Sequence, residues 1–156
     1  MLAAVAPFKD FQAAVDATVA IMQSGLPVAR IEFLDDRMVD ACNHFSKMQL
    51  DVAPTLFFEF NGSKQNTEAQ RELAGMCFSE RYNSAEGKDI FEKMLLCVEE
   101  TCKSYDCLKF NSATDIDKRN ELWKARHNAW YAAHAVRPGS KVSSREIFMI
   151  ISYIQQ

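Results

Sequence analysis

Two segments in the first third of the chain carry the apolar period of an amphipathic helix. From Pro7 to Ser24 the apolar residues recur at steps of three and four, and this stripe consists of Phe8, Phe11, Val15, Val19 and Met22. Gly25 and Pro27 then end the segment. A second stripe begins at Met38, and Asp35 before it is a suitable N-cap. The pattern therefore predicts two early helices.

Four shorter segments have the character of strands. Period-two alternation is clearest in Val28–Leu34, where Arg30 and Glu32 share one side of the predicted strand. Glu59 of a second strand could join them there, which predicts a cross-strand cluster of charges on the side away from the core. The other three predicted strands are Thr55–Phe60, Cys107–Phe110 and Ile147–Ile154.

The remaining segments favour helices. Lys64–Tyr105 predicts two helices joined by an exposed connection at Phe78–Gly87. Asp115–Ala135 is dense in charged residues and alanine, and Pro138–Gly139 ends it. The predicted order is helix, strand, helix, strand, helices, strand, helix, strand. This order predicts an α+β fold in which an antiparallel sheet of about four strands is covered by helices.

Length, composition and charge limit the classes of protein to which the chain can belong. A chain of 156 residues with 48% hydrophobic residues favours a single domain over 1–156. The net charge is −3 and basic residues do not cluster, so no nucleic-acid partner is expected. No stretch reaches the roughly 18 apolar residues of a transmembrane segment, and the N-terminus does not read as a targeting peptide. Five irregularly spaced cysteines without a CxxC pair predict reduced thiols and no zinc site.

The helix at 115–135 carries the candidate binding residues. Trp123, Arg126 and Trp130 stand at i, i+3 and i+7, which places the guanidinium between two indoles and opposite a face of alanines. A guanidinium held in this way suits a small carboxylate, since two parallel hydrogen bonds fix its orientation. Lys141 could add a cation from the following loop. The alternative is that the tryptophans are core residues and Arg126 is a surface residue.

The histidines and cysteines are weaker candidates for chemistry. His127 and His134 lie on nearly the same side of the helix, but the sequence supplies no third metal ligand, so two partly exposed histidines are expected. The cysteines at 97, 102 and 107 fall on different faces and are expected to pack. No phosphate-binding glycine loop, GxSxG elbow or HExxH motif is present. No catalytic, cofactor-binding or metal-ligating residue is therefore predicted in this chain.

Several long blocks together resemble a known family. They are PVARIEFLDD at 27–36, MVDACN at 38–43, APTLFFEFNGS at 53–63, KRNELWKARHNAWYA at 118–132 and RPGSK at 137–141. In this order they resemble the C-terminal domain of FAD-linked oxidases of the D-lactate dehydrogenase type, a flavoprotein group that includes glycolate oxidase subunits and D-2-hydroxyglutarate dehydrogenase. The resemblance implies a ferredoxin-like cap domain of a flavoprotein oxidase.

The resemblance also implies a function. Members of this family oxidise D-lactate, a 2-hydroxy acid, to pyruvate on FAD and pass electrons to cytochrome c in mitochondria. A separate N-terminal domain holds most of the FAD, and a divalent metal is bound by histidines of a later motif; both are expected to be absent from this chain. Residue by residue, Arg126 matches the arginine that helps to hold the substrate carboxylate, and Trp123 and Trp130 shape its surroundings.

Two departures from the family pattern bear on activity. The stretch Leu73–Lys93 is longer than the family usually has, and in the tail REIFMIISYIQQ Glu146 stands where an aspartate is expected. We therefore expect a partial domain that is inactive alone and contributes the substrate side of a D-lactate dehydrogenase. The alternatives are a non-catalytic or regulatory module that binds small carboxylates, and an unstable product without a function of its own.

Overall fold

In the computed structural model, residues 2–26, 28–60, 90–136 and 138–139 are described. They form four strands and four helices. In chain order these are β1 (Leu2–Pro7), α1 (Phe11–Gln23), β2 (Arg30–Leu34), α2 (Asp36–Ser46), β3 (Thr55–Phe60), α3 (Ile90–Ser104), β4 (Asn111–Ala113) and α4 (Ile116–Val136). No helix in the described ranges is long and apolar enough to cross a membrane.

The sheet is antiparallel, with the strand order β2-β3-β1-β4. Helix α1 connects β1 to β2, and α3 lies between β3 and β4, so both pairs are linked by helical crossovers. This is the ferredoxin-like arrangement of strands, to which α2 and α4 are added. The predicted α+β class and the four-stranded antiparallel sheet are confirmed.

Strand β1 at the centre of the sheet was not predicted. All six of its residues are buried, and it pairs with β3 from Leu2↔Phe60 to Pro7↔Thr55. Small apolar residues fill the strand because both of its faces are covered, so the polar alternation that reveals a half-exposed strand is missing. The element order that began with a helix was therefore wrong.

Helices cover both faces of the sheet. On one face the residues of α1 and α3 form a core with Phe58 and Phe60 of β3. On the other face α2 and α4 pack on Phe57, Ala3 and Val5. The charges on β2 therefore do not lie on a side away from the core, because that side has a core of its own beneath α2 and α4.

The first two helices confirm most of the predicted boundaries. Asp35 caps α2, and its Oδ1 accepts a hydrogen bond of 2.7 Å from the backbone N–H of Met38. For α1 the predicted stripe was wrong, because Phe11 is 57% exposed and the buried residues are Ala14, Ala17 and Ile21. Small side chains face the sheet there and let the helix approach it closely.

The C-terminal half is confirmed in part. Helix α4 lies within one residue of its prediction and is followed by Gly139 at a φ of +84°. The strand expected at Cys107–Phe110 is displaced, since Cys107 makes an isolated bridge to Phe8 and the strand begins at Asn111. Other predictions lie outside the described residues: the first helix of Lys64–Tyr105, the connection Phe78–Gly87, Lys141 and the strand Ile147–Ile154.

Candidate functional site

Three charged side chains from two neighbouring strands meet beneath α4. Arg30 of β2 stands opposite Glu59 of β3 in the sheet register, and Arg30 and Glu32 alternate onto the same face. Arg30 Nη1 lies 3.7 Å from Glu32 Oε1, and Arg30 Nε lies 3.7 Å from Glu59 Oε2. The predicted cross-strand cluster of Arg30, Glu32 and Glu59 is confirmed.

Arg126 completes this cluster from the helix above. Its Nε contacts Glu32 Oε2, and the two side chains are 41% and 22% exposed. Glu32 Oε2 is buried and meets Arg126 as an ion pair, without the alignment of a hydrogen bond. Because the contact is made through Nε, the two Nη atoms at the outer edge of the guanidinium are not used in it. Glu32 thus orients the Arg126 guanidinium, whose two Nη groups can still donate hydrogen bonds to another acceptor.

Trp123 does not flank Arg126 in the way that its spacing suggested. It is 8% exposed and lies in the same core as Ala125, Ala129 and Ala132, so the prediction of an indole face opposite an alanine face was wrong. The cation over its ring is Arg30, whose guanidinium carbon lies 5.5 Å from the ring centroid. Trp123 faces the sheet, where its ring packs against Phe57 at 6.1 Å between centroids.

Trp130 lies on the exposed side of α4, in its C-terminal half. It is 48% exposed and meets the edge of Tyr131 at 5.2 Å and of His134 at 4.3 Å. Tyr131 in turn stacks on Phe45 of α2 at 6.4 Å. Trp130 therefore belongs to a surface aromatic group, one helical turn from Arg126 on the same helix.

The two helix histidines each contact a tryptophan. His127 stacks on Trp123 at 6.1 Å between centroids, and His134 meets Trp130. In the part of the chain that the structure describes, no group of three or more His, Cys, Asp or Glu side chains could hold a metal ion. The expectation of partly exposed helix histidines agrees with this placement.

A pocket opens between α4 and the strands beside this cluster. Its volume is about 140 Å³. Its lining consists of Ala3, Arg30, Glu59, Arg119, Asn120, Trp123 and His127. The sequence reasoning missed Arg119 and Asn120, although the spacing of Arg119, Trp123 and His127 at steps of four residues would place all three on one face of a helix. The sequence pattern did not indicate which strand lies opposite this face of the helix.

The buried thiols are structural in character. Cys42 Sγ donates a hydrogen bond of 3.2 Å to the carbonyl of Ala125 and so links α2 to α4. Burial raises the pKa of Cys42, although the positive charge of Arg126 partly lowers it. Burial also raises the pKa of Cys102 and that of Cys107. Cys42, Cys102 and Cys107 carry free thiols, as predicted, and they stay protonated at neutral pH.

The pocket does not fit a whole flavin cofactor. Its volume of about 140 Å³ is well below the roughly 300–1,000 Å³ of pockets that enclose drug-sized ligands. This pocket therefore suits a small anion better than a dinucleotide.

Fold and site together define a class of domain. A ferredoxin-like sheet covered on both faces holds an arginine, oriented by a glutamate, beside a small pocket with two further arginines. The family model described as "FAD linked oxidases, C-terminal domain" matches residues 2–152. The chain belongs to this family, as the resemblance of its sequence blocks predicted.

Relatives from three organisms carry related names. The chain is 41% identical over 156 residues to "Probable D-lactate dehydrogenase, mitochondrial" of Danio rerio, covering 100% of the chain and 27% of the relative. It is 27% identical over 153 residues to "D-lactate dehydrogenase [cytochrome], mitochondrial" of Arabidopsis thaliana, covering 98% of the chain and 23% of the relative. A Kluyveromyces lactis protein of the same name is 26% identical over 132 residues, covering 83% of the chain and 19% of the relative. The chain thus spans about a quarter of these relatives.

Proposed function

We propose that this chain supplies the substrate-side domain of a mitochondrial FAD-linked D-lactate dehydrogenase. The family supports the link to FAD, and the names of the relatives support D-lactate as the 2-hydroxy acid and mitochondria as the location. The word cytochrome in two of those names supports a cytochrome as electron acceptor, and we propose cytochrome c. The product of the oxidation is then pyruvate.

Arg126 is the residue that we propose to bind the substrate carboxylate. The observation that carries this proposal is the contact of Arg126 Nε with Glu32, which orients the guanidinium through one edge only. The Nη edge can then donate two parallel hydrogen bonds to the carboxylate of a 2-hydroxy acid. At 41% exposure the side chain remains accessible to such a ligand.

The neighbours of Arg126 have separate roles in this proposal. Glu32 holds the guanidinium in place and neutralises its charge when no substrate is bound. Trp123 keeps the strand side of the site dry and positions Arg30. Trp130 lies at an exposed position and shapes the approach to the site, while Lys141 outside the described residues stays a predicted second contact.

Residues outside this chain are proposed to hold most of the FAD and the divalent metal of the full enzyme. FAD supplies the site that accepts electrons from the 2-hydroxy acid, and the present residues bind and orient the acid. The pocket of about 140 Å³ supports this division because it is too small for the cofactor. We accordingly expect the chain alone to be catalytically inactive.

Calorimetry on the 156-residue chain tests the role of Arg126. D-Lactate and pyruvate are titrated into the wild type, Arg126→Ala and the control Arg37→Ala, which removes an exposed arginine of α2. We expect saturable heats for the wild type and the control, and a loss of at least about tenfold in affinity for Arg126→Ala, or 1.4 kcal/mol. Equal heats for all three proteins would remove Arg126 from the site.

Flavin absorbance tests the division between chain and cofactor domain. The chain is mixed with FAD, passed over a desalting column and scanned for bound flavin. We expect no flavin to remain with the protein. Retention of FAD in a one-to-one ratio would contradict the proposal that the cofactor is held mainly elsewhere.

A further inference from the structure

We propose that the pocket between α4 and the strands is a second anion site, which binds a small oxyanion through Arg30 and Arg119. The proposal goes beyond the role of Arg126, which is not among the residues that line this pocket. It rests on the shape, the charge and the aromatic floor of the pocket.

The pocket has the size of a small oxyanion. Three lining residues of α4 stand one helical turn apart: Arg119, Trp123 and His127. Arg30 of β2 faces them from the sheet. The pocket is open to solvent on one side, and its volume of about 140 Å³ is well above the roughly 10–15 Å³ that a cavity needs to hold one water. A phosphate or a small carboxylate therefore fits together with part of its hydration.

Charge favours an anion in this pocket. The lining holds two guanidinium groups, Arg30 and Arg119, and one carboxylate, Glu59. The neighbouring Glu32 is shared between Arg30 and Arg126, so three arginines and two glutamates leave a net charge of +1 around the pocket. Asn120 adds an amide that can donate hydrogen bonds, and His127 adds a ring nitrogen. A tetrahedral or planar oxyanion can accept from several of these donors at once.

Arg30 is held in place, but its N–H groups make no short hydrogen bond to Glu32 or Glu59. Its contacts with Glu32 and Glu59 are both 3.7 Å, which is longer than a hydrogen bond, so a closer oxyanion can compete for its N–H groups. The Trp123 ring beneath it, 5.5 Å from the guanidinium carbon, limits the orientations of its side chain. With 52% of that side chain exposed, the anion can enter from solvent.

The two tryptophans of the chain provide an internal control for the test. Trp123 lines the pocket, whereas Trp130 is 48% exposed and is not part of the lining. Inorganic phosphate is titrated into the ¹⁵N-labelled chain at constant ionic strength, and the two indole N–H resonances are followed. We expect the Trp123 resonance to shift and saturate at millimolar phosphate, while that of Trp130 stays in place.

Variants assign the response to the pocket. Arg119→Gln is expected to weaken phosphate binding at least about fivefold, whereas Arg37→Gln on exposed α2 keeps the wild-type affinity. D-Lactate is titrated into Arg119→Gln as well, and an unchanged lactate affinity there distinguishes failure of this site from failure of the lactate site. Acetate titrated in the same way separates the two sources of oxyanion: tighter binding of phosphate favours a phosphate ligand, and tighter binding of acetate favours a carboxylate.

Three results would overturn the proposal. The first is a wild-type Trp123 resonance that neither phosphate nor acetate shifts. The second is an equal, unsaturated drift of both indole resonances. The third is a wild-type phosphate affinity in Arg119→Gln.

Discussion

Glu32 contacts two arginines, Arg30 and Arg126, that lie far apart in the sequence. One of its oxygens contacts Arg30 on the same strand, and the other contacts Arg126 on the helix above. The side chain is 22% exposed, so its interactions are less screened than those of a surface pair. Its carboxylate therefore sets the position of Arg126 as well as the charge balance of the cluster.

Removal of the Glu32 charge is expected to destabilise the chain. Glu32→Gln leaves Arg30 and Arg126 without their shared counter-charge, and we expect the free energy of unfolding to fall by about 1 kcal/mol. Urea unfolding at low salt measures the change. Glu121→Gln, at an exposed position of α4, is the matched control and should differ from the wild type by less than about 0.5 kcal/mol. Equal stability of the two variants would contradict the account of Glu32.

The buried thiols predict a loss of stability at alkaline pH. Burial raises the pKa values of Cys42 and Cys102 in the folded chain, so the folded state keeps protons that the unfolded thiols release. Their contribution is complete below the pKa of an unfolded thiol, about 8.5, and is lost as the pH rises above it. Urea unfolding between pH 7 and pH 10 should show a steeper decline for the wild type than for Cys102→Ala. Parallel declines would show that Cys102 ionises equally in both states.

At the scale of elements, α4 is held to α2 by small residues and by two specific hydrogen bonds. Ala125 and Ala129 lie in the core between them. Cys42 donates to the carbonyl of Ala125, and the Asn128 amide donates to the Ser46 hydroxyl at 2.9 Å. This close approach fixes the height of α4 above the sheet and therefore the reach of Arg126 toward Glu32.

A larger side chain at this contact should disturb the site as well as the fold. Ala125 is fully buried, so Ala125→Leu forces α4 away from α2 and is expected to cost about 1–3 kcal/mol in urea unfolding. Ala135→Leu adds the same atoms at an exposed position of α4 and is expected to be nearly neutral. If Ala125→Leu were as stable as the control, the two helices would not be closely packed there.

The sequence predicted the elements that carry a helical stripe, a polar–apolar alternation or a run of aromatic strand-forming residues. Asp35, the alternation of β2 and the breaker after α4 gave boundaries within two residues of those in the structure. Strand β1 was missed because it is buried on both faces, and three-residue β4 is too short to carry a pattern. Burial on both faces removes the alternation of a strand, and β3 was still predicted because of its aromatic residues, which β1 lacks.

The charged site could be predicted only in part for a similar reason. Arg30, Glu32 and Glu59 followed from alternation within neighbouring strands. The contact between Glu32 and Arg126 joins residues 94 positions apart, and no local pattern encodes the position of α4 over β2. The family resemblance singled out Arg126, whereas its partner and the neighbouring pocket required the folded chain.

At the scale of the whole molecule, the described part of the chain is a sheet between two layers of helices. Phe57 and Phe58 are adjacent in β3, and both are fully buried, one in each core. The site lies on the face of the sheet that α2 and α4 cover. The helices α1 and α3 on the opposite face stabilise the sheet. The chain spans about a quarter of the two relatives from Danio rerio and Arabidopsis thaliana.

Both cores are expected to contribute to stability. Phe57→Ala and Phe58→Ala each open a large cavity and should each lower the free energy of unfolding by about 3–5 kcal/mol. Phe45→Ala, at a position that is 47% exposed, is the control and should cost far less. Chemical unfolding followed by circular dichroism compares the three variants. A loss below about 1 kcal/mol for Phe57→Ala would contradict a core beneath α2 and α4.

Arg126 is proposed to present its outer edge to a small carboxylate while Glu32 holds its Nε. Titration of D-lactate into the ¹⁵N-labelled chain, followed through the arginine Nε–H resonances, tests this most directly. We expect a saturable shift of the Arg126 resonance, no shift at exposed Arg37, and weaker binding in Glu32→Gln. An Arg126 resonance that stays in place throughout the titration would contradict the account.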